Sequence, residues 1–252
     1  MGIVWLASYP KSGNTYARML LHNYLYGETT DTEVIAERIP GIHSLVGNNF
    51  ELKLESDETR IVKSHFCLSR QHPHYKLTSG FIYILRNPRD VLLSNARYCG
   101  ATSDPELLRK FAKKFIENLG LPRWQQSNMG TWPEHVASWL YQTSRIPNIF
   151  IKYRNMRSDP AAALRSMVIF LGMEPDESRI QAAVDSCDIS KARKLESANK
   201  KLGKTGVFDS LPNSGKFVGE GKVGQSLTGI GEDIEDLYKN KFGKFIGLFD
   251  YE

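Results

Sequence analysis

A chain of 252 residues with 41% hydrophobic content buries enough core for one large α/β domain or two small ones. Its net charge of +5 suits an anionic ligand or an acidic partner, and is too small and too scattered to argue for nucleic acid. Cys67, Cys99 and Cys187 form no CxxC pair and no zinc spacing, the N-terminus lacks a signal-peptide pattern, and no apolar run nears the ~20 residues that span a bilayer, so a soluble cytoplasmic protein with free thiols is expected.

Residues 3–8 predict a buried strand, and residues 14–26 a helix with Ala17, Leu20, Leu21, Tyr24 and Leu25 on one face. Between them runs Tyr9-Pro10-Lys11-Ser12-Gly13-Asn14-Thr15. A strand, a tight lysine-bearing loop and a helix N-terminus together receive anions, because the first N–H groups of a helix are unpaired and lie at the positive end of its dipole. Lys11 adds a mobile charge; Ser12, Asn14 and Thr15 add neutral donors. The Walker A spacing Gly-x-x-x-x-Gly-Lys-[Ser/Thr] is absent. Residues 27–58, interrupted by Gly41 and Gly47, read as a mixed and partly irregular stretch.

Arg60–His65 predicts a short strand, and Gly80–Arg86 a stronger one rich in β-branched and aromatic residues. Asn87-Pro88-Arg89-Asp90 then opens a helix: Asn87 caps, Pro88 fits the first position and Asp90 favours the first turn. Helices are expected over 105–118, 133–145, 160–171, 176–186 and 231–241, with a further strand over Asn148–Tyr153. Residues 197–216, rich in Lys, Gly, Ser and Asn, predict a flexible loop, and the part from 200 onward a mobile lid. Strands alternating with helices indicate a parallel sheet, whose ligands sit beyond the carboxyl ends of the strands. Three such ends carry polar groups: Lys11, His65 and Arg86.

Taken together, these stretches resemble the sulfotransferases that use 3′-phosphoadenosine 5′-phosphosulfate (PAPS). Tyr9–Thr15 is similar to that family's 5′-phosphosulfate loop, Lys63-Ser64-His65 to its Lys-Thr-His, and Tyr83–Asp90 with Ser94 to its 3′-phosphate motif. Gly130–Trp139 and Ile151–Met156 echo two further family segments, and the matches keep their order from about residue 4 to residue 240. Two positions depart. Tyr16 stands where the family has a tryptophan near the adenine, and Phe217-Val218-Gly219-Glu220-Gly221 stands where many relatives have Arg-Lys-Gly. The Arg-Lys pair that helps hold the 3′-phosphate is therefore Gly219-Glu220 here; Gly221 is carried over through its N–H, and Lys222 is the candidate for the lost charge. The wording Phe-Val-Gly-Glu-Gly resembles bacterial sulfotransferases that decorate natural products.

The resemblance implies a single α/β domain over 1–252 with a central parallel sheet flanked by helices and a P-loop NTPase-like strand–loop–helix start. It implies sulfuryl transfer from PAPS, with adenosine 3′,5′-bisphosphate (PAP) as product and no metal, to a hydroxyl or amine of a small-molecule acceptor. In such a transfer alignment and charge stabilisation do most of the work. Lys11 is placed to meet the charge on the leaving oxygen, and Ser12 to Tyr16 to hold the 5′-phosphate. His65 is the candidate general base, since imidazole titrates near neutrality; His135 is the second candidate, with a structural role preferred. Arg86 and Ser94 would hold the 3′-phosphate, and Tyr153 either bonds the adenine or ends a strand as core. Lys63 is either a second charge on the nucleotide or a plain strand-end lysine. Acceptor-pocket segments are expected within 27–58, 95–105 and 197–216. Neither nucleic acid nor membrane is an expected partner, and a homodimer is left open. Two other classes stay in view: a nucleotide kinase or other phosphoryl-transfer enzyme, which needs the Walker spacing and a magnesium-binding aspartate, and a non-catalytic anion-binding module.

Overall fold

The computed structural model describes residues 2–42, 59–204, 206–208, 217–249 and Tyr251. Four strands, β1 (Gly2–Ala7), β2 (Thr59–Ser64), β3 (Thr78–Leu85) and β4 (Asn148–Lys152), form one sheet in the order β2-β1-β3-β4. All three pairings are parallel. β1 is buried along its whole length, and β3 over its last six residues. Strands covered on both faces need apolar residues at every position, so β1 and β3 read as unbroken apolar runs instead of alternating ones.

Parallel neighbours need crossovers, and helices supply them. Helices α1 (Asn14–Tyr26) and α2 (Thr32–Arg38) follow β1; α3 (Pro88–Tyr98), α4 (Pro105–Glu117), α5 (Pro122–Gln125) and α6 (Trp132–Leu140) follow β3. Helices α7 (Tyr153–Ser158), α8 (Pro160–Phe170), α9 (Glu177–Ser186), α10 (Ile189–Lys201) and α11 (Glu232–Ile246) follow β4. Successive strand residues point to opposite faces. Val4, Leu6, Ile82 and Ile84 pack with Leu20, Leu21, Leu164 and Met167. Trp5, Phe81 and Tyr83 pack on the other face with Trp132, Trp139, Tyr238 and Phe242. The result is a doubly wound three-layer domain.

Several elements differ from the sequence expectation. Within 27–58 the chain forms α2, capped by Asp31, whose carboxylate accepts from Glu33 N at 2.9 Å; residues 43–58 lie outside the described residues. The strand expected to reach Tyr153 ends at Lys152, and Tyr153 instead opens α7. Helix α10 runs through residues 197–201, where a loop was expected. Its polar sequence is stabilised by tertiary contacts: Asn199 Oδ1 accepts from Thr32 Oγ1 at 2.8 Å, and Ala192 is buried. The expected lid falls largely outside the described residues, at 205 and 209–216. Helix α6 closes at Leu140, earlier than expected, and α11 continues to Ile246. Among the described residues no helix is long and apolar enough to cross a membrane.

From β1 the chain crosses to β2 on one side, and from β3 to β4 on the other. Loops leaving the carboxyl ends of β1 and β3 therefore diverge, and open a crevice between them.

Candidate active site

The loop after β1 is held by its own polar groups. Ser12 N donates to Tyr9 O at 3.2 Å, and the buried Tyr9 hydroxyl accepts from Leu121 N at 3.1 Å. Asn14 Nδ2 donates to Leu6 O at 2.8 Å and to Ser8 Oγ at 3.3 Å, so this amide pins the loop to its strand. Lys11 adopts φ 67° and Gly13 φ 102°. A Cβ on Gly13 would lie 2.3 Å from Tyr153 Cδ2, so only glycine fits. No side chain caps α1, which leaves its first N–H groups for an anion. Ser12 Oγ is buried with no hydrogen-bond partner among the described residues.

A cavity of about 350 Å³ opens over this loop. Its cationic lining is Lys11, Lys63, Arg86, Arg97, Arg157 and Lys222, and among the described residues no Asp or Glu joins them. Gly13, Asn14, Thr15, Tyr16, His65, Ser94, Tyr153 and Gly221 also border it. Lys11 Nζ sits between two rings, 3.6 Å from the centroid of Phe217 and 4.2 Å from that of Tyr98. Burial, with Lys63 and Arg86 nearby, lowers its pKa to about 7.

His65 stands at the end of β2. Its Nδ1 lies 2.7 Å from Ser8 O, and a carbonyl only accepts, so Nδ1 carries the proton. In the neutral ring the lone pair is then on Nε2. Behind it, His135 is fully buried, accepting from the Tyr83 hydroxyl at Nδ1 (2.8 Å) and donating from Nε2 to His65 O (3.0 Å). Burial pushes His135 down to about 3, so it stays neutral and does structural work. Cys67 donates to Met129 O at 3.3 Å, and burial raises its thiol to about 11, which suits packing and not nucleophilic attack.

Arg86, at the end of β3, is buried. Its Nη1 donates to Lys11 O at 3.0 Å and its Nη2 to Lys222 O at 2.9 Å, while its guanidinium lies 4.1 Å from the Tyr153 centroid. It thus joins the β1 loop to the segment 217–225, which closes the cavity as a strap. Glu196 of α10 accepts from Phe217 N (2.6 Å) and Val218 N (2.9 Å), and Arg193 donates to Gly219 O at 3.0 Å. Asp90 of α3 accepts from Gly224 N and Gln225 N, both at 3.1 Å.

The family model for the sulfotransferase domain matches residues 2–245. The chain belongs to the sulfotransferase family. Mouse sulfotransferase 4A1 is 24% identical over 264 aligned residues, covering 98% of this chain and 83% of that protein. Rat sulfotransferase 2A6 is 25% identical over 203 residues, 77% of this chain and 68% of that one. Retinol dehydratase, solved with androsterone and the inactive cofactor PAP, superposes with a TM-score of 0.67 at 18% identity, over 95% of this chain and 80% of its own. Mouse sulfotransferase SULT7A1 complexed with PAP gives 0.61 at 20% identity, over 96% and 84%. The activity is PAPS-dependent sulfuryl transfer, and the phosphoryl-transfer and anion-binding alternatives are not favoured.

In this sulfotransferase the fold brings Lys11, Gly13, Asn14, Thr15, Tyr16, His65, Arg86, Ser94, Tyr153, Gly221 and Lys222 to one cavity. Ser12 is buried and is not one of the residues that line it. Lys222 contributes its carbonyl to Arg86, while its ammonium pairs with Glu220 Oε2 at 2.6 Å in an exposed position. Sequence reasoning passed over Arg97 and Arg157. Each follows an assigned residue by one helical turn, Ser94 by three positions and Tyr153 by four, and that spacing was the available signal.

Proposed function

We propose that this sulfotransferase acts on a hydroxyl of a small-molecule acceptor in the cytoplasm, with His65 as general base and Lys11 on the leaving oxygen. The observation that carries the reading is the Ser8 O–His65 Nδ1 bond at 2.7 Å, which leaves the lone pair of the neutral imidazole on Nε2, in the cavity that also holds Lys11. The residues fit the nucleotide: an uncapped helix start, an unpartnered buried Ser12 hydroxyl and a cationic lining suit its phosphates. When bound, the nucleotide supplies the sulfuryl group. Ser12 to Tyr16 hold its 5′ end, Arg86 and Ser94 its 3′-phosphate, and Tyr153 its base. His65 Nε2 takes the acceptor proton, and Ser8 O and His135 keep the ring and its backbone in place. Tyr98, Trp124 and Met129 give the acceptor side an apolar wall. Retinol dehydratase was solved with androsterone and with retinol, both small molecules bearing a hydroxyl, which supports the same class here.

The test compares wild type with His65→Ala. Metal-free PAP should raise the melting temperature of both, and more than AMP or ATP does. Sulfuryl transfer to hydroxyl acceptors should fall at least ~100-fold in the variant. Full activity in His65→Ala would remove His65 from the chemistry; no stabilisation of wild type by PAP would remove the nucleotide assignment.

A further inference from the structure

Two guanidiniums of this cavity have no assigned task. Arg97 extends from the last turn of α3, one turn beyond Ser94, and Arg157 from α7, one turn beyond Tyr153. Both are half-buried, and neither makes an ion pair among the described residues. Arg157 Nε is buried there without a hydrogen-bond partner, next to the Tyr16 ring at 5.2 Å. Gathering like charges in a half-buried space is unfavourable unless an anion joins them.

The strap explains their position. A Cβ at Gly219 would meet Arg97 Nη1 at 2.9 Å, and one at Gly221 would meet Arg157 Nε at 3.1 Å. The guanidiniums therefore fill the room that the strap's own side chains would otherwise need. Gly219 offers no charge, and the Glu220 carboxylate is spent on Lys222 at the surface, with side chains 48% and 63% exposed. With the strap's Lys222 paired to Glu220, the unpaired positive charge at this edge comes from the helices. The strap is already anchored by Arg193, Glu196 and Asp90, so the two arginines are spared that work.

We propose that Arg97 and Arg157 form a two-sided clamp on the 3′-phosphate of the nucleotide, replacing the cations that positions 219 and 220 do not provide. This rests on the PAPS reading above. A phosphate dianion accepts paired N–H donors from several guanidiniums at once, and Arg97 at Gly219 and Arg157 at Gly221 would add theirs to those of Arg86.

The experiment measures affinity for PAP and for AMP, which lacks the 3′-phosphate, by calorimetry on the intact protein. Variants are Arg97→Gln, Arg157→Gln and Arg97→Gln/Gly219→Arg, with unliganded melting temperatures recorded for each. Wild type should prefer PAP. Each single variant should lose about 10-fold or more in PAP affinity with AMP affinity unchanged. Gly219→Arg, which moves the charge into the space Arg97 vacates, should restore most of the loss. Equal weakening of PAP and AMP, or no change in either, overturns the clamp. A wild type that binds AMP as well as PAP instead overturns the nucleotide assignment itself.

Discussion

Lys11 is an ammonium held between the rings of Phe217 and Tyr98, with Lys63 and Arg86 nearby. Aromatic faces compensate part of its lost hydration, yet not enough to keep an ordinary lysine pKa. With that pKa at about 7, the free protein carries a largely neutral amine at pH 8 or above. An arriving phosphate favours the charged form, so nucleotide binding takes up a proton in this range and weakens as the pH rises above 7. Well below pH 7 the lysine is already mostly charged and the uptake fades. Calorimetry of PAP binding at pH 8.5 in two buffers of different ionisation enthalpy should register this proton. Lys11→Ala should abolish the uptake and cut turnover ~100-fold or more, with a smaller loss in PAP affinity. A wild type that binds PAP without proton uptake would show that Lys11 is charged from the start.

At the scale of elements, the decisive unit is β1, its loop and α1. Helix α1 begins directly after Gly13, whose φ of 102° ends the turn and whose missing Cβ leaves room for the Tyr153 ring. Gly13→Ala adds strain of ~1–2 kcal/mol for the backbone and forces Tyr153 aside. A fall in melting temperature of roughly 2–8 °C should follow, together with loss of PAP binding, because the loop and the Tyr153 support of Arg86 move together. An alanine variant that melts and binds like wild type would show that the loop does not need this geometry. Local signals placed most elements: Asn87-Pro88, Asp104-Pro105 and Asp159-Pro160 each start a helix, and each cap accepts a backbone N–H. They failed where contacts from elsewhere decide. Helix α10 continues past residue 197 because Asn199 meets Thr32 in α2, and no local pattern encodes that pairing.

For the whole molecule, two histidines link packing to pH. His135 bonds Tyr83 and the His65 carbonyl; His72 bonds Ser64 Oγ at 3.0 Å and Pro73 O at 2.8 Å. Burial lowers them to about 3 and about 4. The unfolded chain protonates both near ~6.5, so below that pH it binds more protons than the folded state, and stability is lost as the pH falls. Urea denaturation should give an unfolding free energy that drops between pH 6.5 and 5, with a slope of up to ~1.4 kcal/mol per pH unit for each histidine. A stability flat from pH 7 to 5 would mean that these rings titrate in the folded protein as they do in the unfolded chain. The sequence alone determined the parallel sheet, the strand–loop–helix start, the strand-end residues Lys11, His65 and Arg86, and the family, because strand runs, caps and motif spacings act over a few neighbouring residues. Only the tertiary structure decided which ring nitrogen of His65 carries the proton, why His135 is structural, and that Arg97 and Arg157 stand beside the strap. Those outcomes depend on bonds between groups far apart in the chain, such as Ser8 with His65 and Glu196 with Phe217, and on how much water the packed layers exclude.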